Sequence, residues 1–151
     1  MLEAIHGALV RASLWMMGLC LLALVSLDFW QVIQRYVLGV SWPWAGDVSI
    51  VLLLTLAWIG AGHLWLTRAH IAVDFLAARP HVSRALTILF DLIVLAGGTI
   101  LMPLIYDTMV AYSVIDLPTL PVTGSIKYAP VAAGTAFLCV AAAIMLLSRR
   151  S

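Results

Sequence analysis

Four apolar runs, each long enough to cross a lipid bilayer, decide what this chain can fold into. They extend from about Arg11 to Leu38, Trp44 to Leu66, Val82 to Val114 and Ser125 to Leu147. A spanning helix needs about 20 predominantly apolar residues, because a rise of about 1.5 Å per residue must cover a hydrocarbon core of about 30 Å. Hydrophobic residues make up 64% of the 151 and charged residues 10%, with a mean hydropathy of +1.11. That balance suits lipid and not water as the surrounding solvent. The runs consume nearly all the sequence, so we expect an all-α integral membrane protein, residues 1–151 forming one transmembrane domain.

Net charge is +1 and no basic block is present, which argues against a nucleic-acid partner. Arg11, Arg68, Arg79, Arg84, Arg149 and Arg150 fall on one side of the expected topology, and only Arg35 and Lys127 on the other. The excess of cationic residues on the cytoplasmic side of membrane proteins then places both termini in the cytoplasm. Cys20 and Cys139 lie inside apolar runs, where a thiol behaves as a small buried hydrophobe, so we expect no structural disulfide. Arg11 ahead of the run from Ser13 to Leu27 has the outline of a signal peptide, but no small-residue cleavage motif follows. Met17-Gly18-Leu19 before Cys20 does not make a lipoprotein site either, so the run is expected to stay as a helix.

The third run is longer than a bilayer needs, so its helix must tilt, bend or protrude, with Gly97, Gly98 and Pro103 available for a bend. Residues 70–78, HIAVDFLAA, are too few to span and set His70 and Asp74 one turn apart among apolar residues, the pattern of an interfacial helix on the cytoplasmic face. The loop LPTLPVTGSIKYAP carries Pro118, Pro121, Gly124 and Pro130 and is expected to be extended. No internal repeat is visible, so the inverted repeats and broken helix pairs of a self-contained transporter are missing.

Polar residues inside the spans are the candidates for function. Asp28, Gln31 and Arg35 recur at helical spacing and share one stripe, which should meet another helix, a partner or water in preference to lipid. It is either an ion or proton pathway or a structural seam, and the lack of a second carboxylate cluster favours the seam. Arg35 ends the first span where Asp47 begins the second, so a salt bridge between them is the economical expectation. His63 and Asp91 should lie at similar depth and pair between helices, a proton relay being the other reading. Haem ligation by two of His6, His63, His70 and His81 would need two imidazoles facing each other on different helices. Trp42, Trp44 and Trp65 occupy aromatic-belt positions, and Trp58, close to Gly60 and Gly62, marks a packing face.

The run from Gln31 to Leu76 resembles the small membrane subunit, the DctQ-like or Q component, of tripartite ATP-independent periplasmic (TRAP) transporters. The family's Q-V-x-x-R-Y pattern at the end of the first span is matched by Gln31, Val32, Arg35 and Tyr36. Its tryptophan and acid at the start of the second span are matched by Trp44 and Asp47, although Gly46 and Asp47 stand where a glutamate or a pair of acids is common. A Trp and Gly pair followed by A-H-I-x-V-D is matched by Trp58, Gly60, Ala69, His70, Ile71, Val73 and Asp74. Pro121, Tyr128 and Pro130 resemble the loop that introduces the last span.

The resemblance implies a scaffold without catalytic residues or a cofactor of its own, in the inner membrane of a bacterium. A periplasmic binding protein (the P component) would deliver an organic acid, often a carboxylate. A large elevator-type membrane subunit (the M component) would import it with an ion gradient, sodium being bound to that large subunit. The small subunit would pack against it and help dock the binding protein, with Asp28, Gln31, Arg35, Trp42, Trp44, Asp47, Trp58, His70 and Asp74 as structural or interface residues. Two other classes compete: a four-helix dimeric exporter centred on Asp28, and a haem-bearing respiratory anchor.

Overall fold

The computed structural model describes residues 2–67, 80–117 and 121–147. Among them are four long helices: α1 (Leu2–Tyr36), α2 (Pro43–Thr67), α3 (Pro80–Ala111) and α4 (Ala129–Leu147). All four spans, the last taken from Gly124, are long and apolar enough to cross a membrane, and the described residues form no strand beyond one isolated bridge. The protein is therefore an all-α chain of membrane-spanning helices. The segment 70–78 expected to form an interfacial helix, with His70 and Asp74, lies outside the described residues.

Local chemistry explains where the helices stop. Past Tyr36 the Gln34 carbonyl accepts from the N–H groups of Leu38 and Val40, at 3.2 and 3.1 Å, while Gly39 takes φ +66°. This left-handed residue after the last turn is a common helix terminator, and glycine adopts it without a Cβ penalty. Pro43 opens α2, where its fixed φ suits the first turn and its missing N–H removes no helical bond.

The loop before α4 is extended at Asp116 and Thr123, as its prolines suggested, and departs from that only from Gly124 on. Asp116 and Thr123 form an antiparallel bridge, and Gly124 donates to the Ile115 carbonyl at 2.7 Å. Gly124–Tyr128 then winds into a 3-10 turn that leads into α4. Tyr128 meets Tyr112 with ring centroids 5.2 Å apart, so an aromatic contact holds the turn against the end of α3.

The helices form an open row and not a closed bundle: α1 packs on α2, α2 on α4, and α4 on α3. α1 and α3 are therefore the edges, and α2 and α4 the middle. Burial is least in α1, with 6% of its spanning stretch buried, and greatest in the last span, with 28%. The contacts rest on small residues. Trp58 of α2 occupies the space beside Gly134 of α4, Phe137 of α4 covers Gly62 of α2, and Cys139 of α4 sits over Gly98 of α3. Met17 of α1 approaches Gly60 of α2, at 3.6 Å from where a Cβ would stand. Lipid tails are as apolar as leucine, so helices associate in a membrane through such close approach and not through a hydrophobic gain. Cys20 and Cys139 are both free thiols.

Candidate functional site

Where helices meet, polar side chains find one another, and their pairings differ from those expected. At the His6 end of the row, Ser13 Oγ lies 2.8 Å from His63 Nδ1 and also donates to the Val10 carbonyl at 2.9 Å. His6 Nε2 stands 3.1 Å from the Leu66 carbonyl. Asp91, 2% exposed on α3, accepts from the Trp65 indole N–H at 2.9 Å. The expected His63–Asp91 pair is thus replaced by two others. His63 faces α1 and Trp65 faces α3, because positions two residues apart on a helix point to different flanks. Trp65 spends its N–H on a carboxylate and not on headgroup water. Asp91 Oδ2 is buried without a hydrogen-bond partner among the described residues.

At the opposite end, Asp47 at the start of α2 meets Lys127, with Nζ 2.7 Å from Oδ1. The cation at Asp47 is Lys127 of the 3-10 turn in place of the expected Arg35, since the fold of the loop carries Lys127 back over the top of α2. The pair ties the α3–α4 connection to the second helix. Trp42 and Trp44 stack across Pro43, centroids 5.3 Å apart and planes 24° from parallel.

Arg35 belongs instead to a polar groove along α1. Asp28 Oδ1 accepts from Ser49 Oγ of α2 at 2.7 Å and from Gln31 Nε2 at 3.3 Å, and Gln31 Nε2 also lies 3.3 Å from Ser49 Oγ. Asp28, Gln31, Arg35, Tyr36, Ser41 and Trp42 line a cavity of about 380 Å³ that opens on the flank of the helix. Asp28 and Arg35 are both exposed on that flank. The structure therefore brings Asp28, Gln31, Arg35 and Trp42 to one groove, and sets Trp44 and Asp47 beside it at the start of α2. Trp58 stands apart in the middle of the α2–α4 contact.

Sequence reasoning missed four participants. Ser49 and Lys127 supply the hydrogen bond and the ion pair, and Gly134 receives Trp58. Gln34 is only 4% exposed, with Oε1 unpartnered among the described residues. It lies a third of a turn from the Asp28 stripe, on the side that turns toward α2, and the alternation of Gln31 and Gln34 was the available signal. Among the described residues no group of three His, Cys, Asp or Glu side chains gathers to hold a metal ion.

The family model described as tripartite ATP-independent periplasmic transporters, DctQ component, matches residues 24–151. The chain belongs to the DctQ family. The match takes in the whole groove, the Asp47–Lys127 pair and the α2–α4 and α4–α3 contacts, and begins four residues before Asp28, past the α1 residues Ser13 and Met17 that meet α2. DctQ chains are membrane components of transporters and not enzymes, so the polar groups above are to be read for assembly and transport. No curated protein matches the chain.

Proposed function

We propose that this DctQ chain is the small scaffold subunit of a TRAP-type secondary transporter in a bacterial inner membrane, with both termini in the cytoplasm. It holds the large elevator-type M subunit and helps a periplasmic P component dock. The system imports an organic acid, a carboxylate, on an ion gradient. The coupling sodium ion binds the large subunit, and this chain needs no cofactor. The observation that carries the reading is the family match over an open row of helices in which polar side chains pair from one helix to another. Ser13 with His63 ties α1 to α2 and Trp65 with Asp91 ties α2 to α3, a seam that suits a static body better than a pathway. With that orientation, Asp47, Lys127 and the stacked tryptophans form the periplasmic end, where a docking surface is needed.

The test is a mild-detergent pull-down of the tagged chain from its native membrane, followed by reconstitution of the co-purifying subunits with and without it. Near-equal recovery of a large multi-span subunit, and uptake that requires the binding protein and falls when this chain is omitted, are the expected results. Transport by the purified chain alone, abolished by Asp28→Asn, would establish the small self-contained transporter instead.

A further inference from the structure

α1 is an edge helix, and its open flank is polar where lipid calls for apolar atoms. Both hydrogen bonds to Asp28 end on Oδ1, and among the described residues none reaches Oδ2. Arg35 forms no ion pair or side-chain hydrogen bond among the described residues, and its side chain, which carries five N–H donors, lines the same groove. Seven residues separate the two, so they stand on one face about 10 Å apart along the helix axis. Arg35 lies beside Ser41 and Trp42 at the loop end, while Asp28 lies two turns further in.

That separation selects the occupant. A phospholipid with its phosphate on Arg35 would place acyl tails, and no donor, at the depth of Asp28. A helix running alongside α1 can present a donor and an acceptor two turns apart, matching both charges at once. The cavity of about 380 Å³ has room for side chains of such a helix and not for the helix itself, as a contact between two helices requires.

We propose that this flank of α1 seats a transmembrane helix of the large M subunit. That helix brings a cationic or N–H donor group to Asp28 and a carboxylate or carbonyl to Arg35. The proposal rests on the assignment of the chain as the small subunit, and it goes further in naming the face and the chemistry of the contact.

The experiment uses the intact complex, purified through the tagged chain into lipid nanodiscs, with a photo-crosslinking amino acid in place of Val32, which lines the groove. An adduct with the large subunit is expected. An adduct with lipid alone, in a complex that still contains the large subunit, overturns the proposal and leaves the scaffold assignment standing. If no large subunit co-purifies with the unmodified chain, the assignment fails and the proposal with it. Asp28→Ala and Arg35→Ala should each lower the recovered large subunit about tenfold at an unchanged amount of this chain, since each leaves a desolvated partner charge unpaired. Retention with Asp28→Asn would identify an N–H donor, and loss would identify a cation. Undiminished recovery with both alanine variants overturns the pairing.

Discussion

Gly134→Ala should destabilise this protein more than the same change at Gly98, although both glycines sit in helices under a neighbouring side chain. At Gly134 a new methyl overlaps Trp58 at Cβ, lies 3.0 Å from its Cγ and 3.3 Å from its Cα, inside the 3.4–4 Å of ordinary contact. These atoms belong to or adjoin the backbone of α2, so no rotamer of Trp58 relieves the clash, and α2 and α4 must separate by something on the order of 1 Å in a close-packed interface. Overpacking of this kind costs about 1–3 kcal/mol, against a gain of up to about 1 kcal/mol from replacing glycine by alanine in a helix. At Gly98 the atom in the way is Cys139 Sγ, which rotation about χ1 can move, so the two effects nearly cancel there. Gly62→Ala should fall between, because it meets the ring of Phe137 and not a backbone-proximal atom. The assay is reversible unfolding in mixed micelles, titrated with a denaturing detergent and followed by tryptophan fluorescence. Trp58→Ala removes the ring but keeps the Cβ, so it should not rescue Gly134→Ala. A Gly134→Ala variant as stable as the parent, or one rescued by Trp58→Ala, would refute the reasoning.

Trp65→Phe should cost about 1–3 kcal/mol in the same unfolding assay, because it strips the donor from a buried carboxylate oxygen. The double variant with Asp91→Leu should cost less than Trp65→Phe alone, and a larger cost would show that Asp91 is held by something other than the indole. Removing Lys127 or Asp47 should cost only about 0.5–1 kcal/mol, since the pair is partly exposed. A double-mutant cycle with zero coupling between them would dismiss the ion pair. Ser13→Ala should cost about 1 kcal/mol and change the chemical shift of the His63 ring, which no variant on α3 should do.

The spans were legible because lipid imposes a length and a composition on any run that crosses it. Asp28, Gln31 and Arg35 were legible as a stripe because a helix repeats every 3.6 residues. What periodicity cannot say is which flank meets which neighbour. His63 and Asp91 were matched by depth, yet α2 turns His63 toward α1 and Trp65 toward α3, and a pairing by depth is blind to that rotation. Arg35 and Asp47 were matched by sequence proximity across the Pro43 turn. Lys127 reaches Asp47 from 80 residues further along only because the Asp116–Thr123 bridge and the 3-10 turn fold the loop back. Trp58 carried the signal of a packing face, but its partner glycine, Gly134, lies on a helix whose adjacency no local pattern reports.

The distribution of polar groups says more about the assembly than the exposed apolar surface does. Leu22, Phe29 and Ile100 are 65%, 67% and 72% exposed, and in water such a surface would demand a cover. In a bilayer acyl chains satisfy it at no cost, so apolar exposure does not separate a lipid-facing flank from an interface. Charged groups do separate them, because lipid cannot supply a donor or an acceptor in its interior. Asp91 is buried, with the Trp65 indole on its carboxylate, whereas Asp28 and Arg35 are presented outward on the helix with the least buried span. A row of four helices that links Ser13 to His63 and Trp65 to Asp91 inside and leaves one charged groove open on its edge is a body shaped to be completed by another chain. The groove along α1 is where that completion should be sought.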